Sequence, residues 1–466
     1  MLFNSFIFLI FFPLVCVLYF IIPHKYRWLF LLLASYYFYM NWNPVYAVLI
    51  FGSTFITYAC SLLLEKYKDN RKRKRIYLTI SLIINFGILF LFKYFNFLND
   101  SIFQILEVMN IRWDVPNLDI LLPVGISFYT FQAVGYTIDV YRGDVKAEKH
   151  LGIYALFISF FPQLVAGPIE RSKNLLPQFR DIHNIDFNRI SAGLKIMLWG
   201  YFMKLVVADR LSIYVDAVYN NVDNHNGFSF ILATIFFSIQ IYCDFAGYSL
   251  IAIGTAKIMG FDLMTNFNRP YFALSIKDFW KRWHISLSTW FKDYFYIPLG
   301  GNKVSSTRHK FNLFLTFFVS GIWHGANYTF VVWGGLHGVY QVFGILKDRY
   351  LPKFKTIKGI EILITFILVA FAWIFFRANT ISDAYIIISK IFSTPGSLFI
   401  NQTTLGYSFI GIALLFLKDI KDEYNLNIKF STSRFAIKRY SYYILMISII
   451  LLFGVFDSGQ FIYFQF

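Results

Sequence analysis

The sequence predicts an all-α polytopic membrane protein, because apolar stretches long enough to cross a bilayer recur along its whole length. Of its 466 residues, 57% are hydrophobic and only 15% are charged. One helical crossing needs about 20 apolar residues, so we expect roughly 10 to 12 transmembrane helices, with re-entrant and interfacial helices. No polar stretch is long enough for a soluble domain, and residues 1–466 are therefore predicted to form a single integral-membrane domain.

Eleven apolar stretches carry this prediction. The first has neither a charged amino-terminal region nor a small-residue cleavage site, so we expect it to be retained as a span. The stretches are, in order, residues 5–22, 28–40, 44–64, 76–98, 120–140, 190–207, 228–258, 311–343, 360–375, 406–417 and 442–456.

The charges predict the orientation of these spans. The net charge is +17, and seven basic residues are concentrated between Lys66 and Arg75. Such a loop is typical of the cytoplasmic side, next to anionic lipid. Loops 99–118 and 216–226 carry mostly acidic charges and are expected outside. The chain then lies in a bacterial cytoplasmic membrane with both termini extracytoplasmic. No basic stripe with interleaved aromatic residues lies on a soluble face, which excludes nucleic acid as a partner.

The apolar run 311–343 contains a histidine, His324, in Ser320–Asn327. Basic segments flank the run on both sides, so it is predicted to be a re-entrant hairpin of two short helices that meet near Trp323-His324-Gly325. An ionisable group at membrane depth is costly and marks a candidate functional site. The alternative is a packed histidine bonded to a backbone carbonyl. Glycines beside His324 leave room for the close approach of a second helix or a ligand.

The three cysteines, Cys16, Cys60 and Cys243, are scattered through apolar segments. Their spacing matches neither a disulfide framework nor a ligand set. We therefore expect no metal site and no permanently bound cofactor.

A basic and aromatic stretch, Lys277–Ser288, lies on the predicted cytoplasmic side and contains Trp280, Lys281, Arg282, Trp283 and His284. One interpretation is an interfacial amphipathic helix with tryptophans at the level of the lipid headgroups. The other is recognition of an anionic acyl donor by Lys281 and Arg282, beside Trp280 and Trp283, with His284 facing the interior. The residues alone leave both interpretations open.

Several long motifs in order resemble the membrane-bound O-acyltransferase (MBOAT) superfamily. They are Phe160–Ile169, Gln240–Ser249, Asn268–Phe272, Phe279–Ser288, Tyr296–Asn302, Gly321–Asn327 and Trp333–Gly338. The likeness runs from about Leu121 onwards and is closest to the bacterial polysaccharide branch, which includes alginate and peptidoglycan O-acetylation proteins and the teichoic-acid D-alanylation membrane protein. Leu250 departs from the acidic residue that alginate-type members often carry there.

The resemblance implies an MBOAT fold with its helices around a central tunnel, a catalytic core within residues 121–340 and catalytic roles for two histidines. The histidine of the Trp-His-Gly motif, His324, would be the essential one, and His284 would support it. His337 matches a further histidine, which we interpret as structural. The implied reaction is O-acetyl transfer from a cytoplasmic thioester, acetyl-CoA, which is a substrate and not a bound cofactor.

Residues 441–466 are predicted to form the last transmembrane helix and an extracytoplasmic tail that ends in Phe461-Ile462-Tyr463-Phe464-Gln465-Phe466. We call residues 461–466 the acceptor segment. An aromatic anchor at the membrane interface is one interpretation. The pattern also resembles a motif of the polysaccharide branch whose tyrosine is thought to carry the acyl group, which would make Tyr463 catalytic.

A tail relay implies a partner, an extracytoplasmic SGNH-type O-acetyltransferase that modifies a polysaccharide or peptidoglycan. One alternative is direct acylation of a lipid or protein with the same histidines and no relay. Another is a transporter, for which the residues near apolar spans that offer a polar path are Asp139, Lys204, Asp244 and Lys257.

Overall fold

The structure is a computed structural model that describes residues 1–165, 167–350, 357–400, 402–427 and 435–456. Every regular element in these residues is helical, which confirms the predicted all-α class. Tyr463 and the rest of the acceptor segment lie outside the described residues.

The described helices belong to two compact units. Residues Met1–Leu194 and Ala252–Met264 form the first unit, and Lys195–Ile251 with the residues from Thr265 onwards form the second. The first unit contains α1 (Phe6–Ile21), α2 (His24–Met40), α3 (Tyr46–Lys66), α4 (Arg71–Lys93), α5 (Phe95–Val108), α6 (Ile126–Arg142), α7 (Leu151–Ser159), α8 (Phe161–Leu164) and α9 (Ser172–Leu175).

Two long helices, α10 (Phe187–Tyr201) and α12 (Gly227–Met259), run from one unit into the other. A π-helical segment, Phe202–Ala208, joins α10 to α11 (Asp209–Tyr219). The remaining helices of the second unit are α13 (Ile276–Arg282), α14 (Ile285–Phe291), α15 (Ser306–His324), α16 (Tyr328–Tyr350), α17 (Lys358–Arg377), α18 (Ile381–Ser393), α19 (Gln402–Glu423) and α20 (Ala436–Phe453).

Eight helical segments in the described part of the chain are long and apolar enough to span a membrane, which makes this a multi-pass membrane protein. The count is lower than the 10 to 12 predicted. Helix α1 is apolar but has only 16 residues, and α2 and α6 have 17 each. Helix α6 also carries polar residues such as Gln132 and Asp139, which lower its hydropathy but are buried inside the protein. The eight segments are Tyr46–Lys66, Arg71–Lys93, Phe187–Tyr219, Gly227–Met259, Tyr328–Tyr350, Lys358–Arg377, Gln402–Glu423 and Ala436–Phe453.

Buried polar contacts hold α3 against its neighbours in the first unit. The Ser53 hydroxyl donates to Asn85 Oδ1 of α4 at 2.6 Å. The Tyr154 hydroxyl of α7 donates to Thr57 Oγ1 at 2.7 Å. Since a polar group in an apolar interior is costly unless it is hydrogen-bonded, these pairs fix which helix faces meet.

The predicted hairpin around His324 is present, but its helices are longer than predicted. Helices α15 and α16 have 19 and 23 residues, and the break between them lies at Gly325–Asn327. Each helix begins or ends in polar sequence beyond the apolar run 311–343, so hydropathy alone underestimated their length. At 1.5 Å per residue both helices are about as long as the bilayer core is thick.

Candidate active site

His324 is the last residue of α15 and is 3% exposed. Its ring centroid lies 4.9 Å from Trp323, 4.9 Å from Trp333 and 5.5 Å from Phe376. An imidazole in this setting is surrounded by aromatic faces and edges, in a volume where electrostatic interactions are stronger than in water.

Glycines make this packing possible, as the sequence predicted. A Cβ on Gly321 would lie 2.4 Å from the Phe330 carbonyl oxygen and 2.7 Å from the Gly334 Cα. A Cβ on Gly325 would lie 2.1 Å from the Phe330 ring. Only glycine allows the backbones of α15 and α16 to come this close beside His324.

His284 lies between α13 and α14, two short helices outside the candidate spans, and is fully buried. Its backbone has φ +41°, a left-handed conformation that is uncommon for a residue with a side chain. The imidazole Nδ1 lies 3.1 Å from Asn266 Oδ1. The same oxygen accepts from the Ser286 amide at 3.2 Å and from the Ser286 hydroxyl at 2.9 Å.

These contacts assign the tautomer of His284. The Ser286 amide can only donate, so the Asn266 atom that it meets must be the oxygen, and His284 Nδ1 must then carry the proton. Burial lowers the pKa of His284 to about 3, so the ring is neutral at physiological pH. The lone pair is therefore on Nε2, and this nitrogen is an acceptor or a base.

Trp323 neighbours both predicted catalytic histidines. Its ring centroid is 6.4 Å from His284 and 4.9 Å from His324. The structure thus brings these two histidines, which are 40 residues apart in sequence, into one aromatic cluster.

Aromatic side chains of α12 lie next to this cluster. The Phe245 ring is 4.6 Å from His284. Two turns nearer the Gly227 end, Phe237 lies 6.5 Å from Phe376, whose ring is 5.5 Å from His324. His284 therefore contacts α12 directly, and His324 is linked to α12 through Phe376.

His337 is fully buried and is held by one of the predicted donor-side residues. The Trp280 indole N–H donates to His337 Nδ1 at 3.2 Å, so the His337 proton is on Nε2. Trp333 lies 4.9 Å from both His324 and His337. The structural role of His337 stays a prediction.

The other residues of the predicted donor side differ in exposure and in their charged partners. Trp280 and Trp283 are 8% and 1% exposed, so they pack inside the protein and are not interfacial anchors. The Arg282 guanidinium donates to both carboxylate oxygens of Glu423, at 2.9 and 3.0 Å, and lies 3.2 Å from Asp278 Oδ2. Lys281 is exposed.

The sequence analysis missed Asn266. This residue precedes the motif that begins at Asn268, and an asparagine in a polar loop carries no periodic or compositional signal. Its importance follows only from the structure, where one side chain orients both His284 and Ser286.

Comparison with known proteins finds a matching family and several similar proteins. The model of the MBOAT, membrane-bound O-acyltransferase family, matches residues 148–382. A probable alginate O-acetylase of Pseudomonas aeruginosa is 38% identical over 396 residues, which cover 84% of this chain and 75% of that protein. A peptidoglycan O-acetyltransferase of Helicobacter pylori is 36% identical over 388 residues, with 76% and 72% covered.

A less similar relative is named for a different reaction. A teichoic acid D-alanyltransferase of Streptococcus thermophilus is 32% identical over 247 residues, which cover 50% of this chain and 59% of that protein. The two acetylating relatives match far more of the chain. These matches show that the chain belongs to the membrane-bound O-acyltransferase family, as a multi-pass membrane acyltransferase of the O-acetyltransferase type.

Proposed function

We propose that this protein takes an acetyl group from cytoplasmic acetyl-CoA and passes it, through Tyr463, to an extracytoplasmic transferase that O-acetylates a cell-wall polymer or exopolysaccharide. The observation that carries the proposal is the pair of buried histidines, His284 and His324, that both contact the Trp323 ring. Two histidines in one cluster suit a reaction in which one group positions the donor and the other moves the proton of the acceptor.

In the first step the Tyr463 hydroxyl is the nucleophile. A phenol has a pKa near 10 in water and needs a base at neutral pH. His324 takes the phenolic proton, the phenolate oxygen attacks the thioester carbonyl, and the carbon–sulfur bond breaks. The coenzyme A thiolate leaves and receives the proton from His324. The product is an acetyl ester of Tyr463, and His324 returns to its starting form.

His284 supports the donor side in this scheme. Asn266 orients the imidazole so that the lone pair is on Nε2, where it accepts a hydrogen bond from an amide N–H group of the donor. Because this ring is neutral, it does not attract the negative charge that develops on the thioester oxygen. Its role is positioning, whereas His324 moves the proton.

Among the predicted donor-side residues, we assign Lys281 to binding the phosphates of acetyl-CoA. It is exposed at the end of α13, and an ammonium group there attracts phosphate oxygens. Arg282 is already paired with Glu423 and Asp278, so it holds α13 in place beside the incoming donor. Trp280 and Trp283 form the buried wall behind it.

The second step belongs to a partner. An SGNH-type O-acetyltransferase outside the membrane attacks the acetyl-tyrosine ester with its serine oxygen and releases the phenol, which regains a proton. A phenolate leaves more easily than a sugar alkoxide, so the ester remains reactive. The names of the two acetylating relatives support alginate-like polysaccharide or peptidoglycan as the final acceptor.

The test of the relay uses purified protein in nanodiscs with isotopically labelled acetyl-CoA and no partner. Mass spectrometry of the wild-type protein should find labelled acetyl on the peptide that contains Tyr463. Tyr463→Phe keeps the ring and removes the nucleophilic oxygen, so it should insert normally and carry no label. Tyr385→Phe, at a tyrosine that is 73% exposed, is the matched control and should label as the wild type does.

A direct acyltransferase without a relay is the second candidate. It uses the same histidines, so His324→Ala lowers transfer by roughly 10²–10⁴-fold in both schemes. Removal of residues 461–466 separates them, because only the relay then loses all transfer to polymer. The transporter is less well supported, since Lys204 and Asp244 form a buried ion pair with each other and not a polar path.

A further inference from the structure

The end of the last helix, α20, is tied to the π-helical segment Phe202–Ala208 and the residues after it. The Val455 amide donates to the Leu205 carbonyl at 3.1 Å. The Arg210 guanidinium donates to the Phe453 carbonyl at 2.7 Å. The last carbonyls of a helix have no hydrogen-bond partner within the helix. A cation there donates to such a carbonyl and also interacts favourably with the negative end of the helix dipole. These two bonds hold the chain just before it continues to the acceptor segment.

The π-helical turn explains how Leu205 can take part. In a regular α-helix the Asp209 amide would donate to the Leu205 carbonyl, four residues earlier. Here it donates to the Lys204 carbonyl, five residues earlier. The wider turn shifts the register by one residue, and the Leu205 carbonyl meets Val455 instead. Such turns within α-helices often mark functional positions.

A buried ion cluster fixes that register. Lys204 Nζ lies 2.8 Å from Asp209 Oδ1 and 2.7 Å from Asp244 Oδ1, and all three side chains are at most 6% exposed. Burying such charges costs free energy of desolvation and is weak evidence for stability. The better-attested effect of a buried ion pair is to select one helix register among several.

Close helix packing allows the cluster to form. A Cβ on Gly200 would lie 2.7 Å from the Gly247 carbonyl oxygen, and a Cβ on Gly247 would lie 3.0 Å from the Lys204 amide. The two backbones therefore touch at glycines, which lets Lys204 reach Asp244. The ion cluster and its glycines thus position the turn that holds α20.

The same cluster adjoins the active site through α12. Asp244 is followed by Phe245, whose ring lies 4.6 Å from His284. Tyr463 is eight positions after Val455, and an extended chain of that length spans at most roughly 26–29 Å. The point at which the chain leaves α20 therefore limits the region that Tyr463 can reach.

We propose that Leu205 and Arg210 form a tail anchor that sets the starting point of the acceptor segment, with Arg210 as a positioning residue for acetyl transfer to Tyr463. The proposal rests on the tail relay described above. A tethered nucleophile has an effective concentration that depends on the position and length of its tether. Loss of the anchor lowers that concentration and leaves the histidines unchanged.

Two pairs of variants test the anchor. Arg210→Leu removes the bond to Phe453. Its matched control is Arg189→Leu, because Arg189 donates to the carbonyls of Lys257 and Gly260 at the end of a different helix. Val455→Pro removes only the amide that meets Leu205, and Val455→Ala keeps it. Gly454 has φ −65° and ψ 148°, which is compatible with a following proline.

The assay measures two products in nanodiscs with acetyl-CoA: acetyl on the protein's own Tyr463, and acetyl on a synthetic peptide of residues 457–466 added at fixed concentration. We expect own-tail acetylation to fall roughly 10- to 100-fold for Arg210→Leu and roughly two- to tenfold for Val455→Pro. Acetylation of the added peptide should stay at the wild-type level or rise, and both controls should keep the wild-type ratio of the two products.

Three results would overturn the proposal. A wild-type ratio in both Arg210→Leu and Val455→Pro shows that the bonds do not position the tail. An equal fall of both products shows that the contacts support only the general fold. Polymer acetylation by a wild-type protein that never carries acetyl on Tyr463 refutes the relay itself, and the anchor's role with it. If Arg210→Leu does not fold, Val455→Pro decides alone.

Discussion

Asn266→Ala removes a single oxygen that serves three donors at the predicted donor side. His284 Nδ1, the Ser286 amide and the Ser286 hydroxyl all lie within 3.2 Å of it. A buried donor left without an acceptor costs roughly 1–3 kcal/mol. The imidazole also loses the contact that selects its tautomer, and a wrongly placed ring proton is damaging in other enzymes with a catalytic histidine. We expect acetyl transfer to fall by roughly 10²-fold or more, at the lower end of a lost acid–base group.

The Asn266→Asp variant tests the charge of the His284 ring separately from its tautomer. A carboxylate still accepts from His284 Nδ1, but its negative charge raises the pKa of the imidazole. In the wild type that pKa is about 3, so His284 does not titrate between pH 5 and 8. In the Asp variant, protonation of Nε2 should occur in or near this range. Activity near pH 8 should then be closer to wild type than that of Asn266→Ala, and it should fall as the pH is lowered.

The same pKa has a consequence for stability. The unfolded chain binds a proton on this histidine near pH 6.5, whereas the folded protein does not until about pH 3. The free energy of unfolding therefore falls as the pH drops below about 6.5, because the unfolded state binds more protons. The full difference corresponds to about 5 kcal/mol. His284→Gln should unfold with a weaker dependence on acid pH.

The assay is acetyl transfer per mole of folded protein in nanodiscs from pH 5 to 8, with the midpoint of thermal unfolding measured on the same samples. Ser249→Ala is the matched control, since it removes the other Asn266 contact, from Nδ2 to Ser249 Oγ at 3.2 Å, and leaves the oxygen in place. Wild-type transfer by Asn266→Ala, or an equal loss in Ser249→Ala, would refute the assignment of His284.

Three further predictions concern topology, donor binding and packing. In a variant without the native cysteines, single cysteines at Asn70 and Asn110 should react with an impermeant thiol reagent from opposite sides of the membrane; reaction from one side contradicts the charge argument. Lys281→Glu should raise KM for acetyl-CoA more than it lowers kcat, and an unchanged KM would remove Lys281 from the donor site. Gly334→Ala places a Cβ 2.6 Å from a backbone oxygen and should destabilise by roughly 1–3 kcal/mol, whereas Gly335→Ala meets nothing within 4 Å and should be neutral or stabilising; equal unfolding temperatures would contradict this.

The parts of the fold that depend on local pattern could be predicted from the sequence. The helical class, the break after His324 and the glycines that admit α16 all follow from hydropathy and residue size. Eight described segments are long and apolar enough to span a membrane, fewer than the 10 to 12 predicted, because α1, α2 and α6 have fewer than 18 residues. The hairpin helices are longer than predicted because their polar ends remain helical.

The site depended on long-range contacts, which local pattern does not contain. His284 and His324 could be named from the motifs, but their shared contact with Trp323 could not. Asn266 acts through one side-chain oxygen, and no periodic pattern in the sequence indicates it. Lys204 and Asp244 were visible as charges in apolar segments, yet their pairing requires knowing that α10 and α12 touch at glycines. Tyr463 stays a prediction.

The contact of Trp323 with two imidazoles also bears on bioenergetics. A bacterial cytoplasmic membrane stores energy as a proton gradient, and a continuous row of groups that pass protons would let that gradient leak. Protons hop only along groups that both accept and donate. An indole N–H donates and has no lone pair with which to accept. The Trp323 ring, which both His284 and His324 contact, therefore cannot relay a proton from one imidazole to the other. In the proposed relay this shared neighbour would conduct no protons while the acetyl group passes.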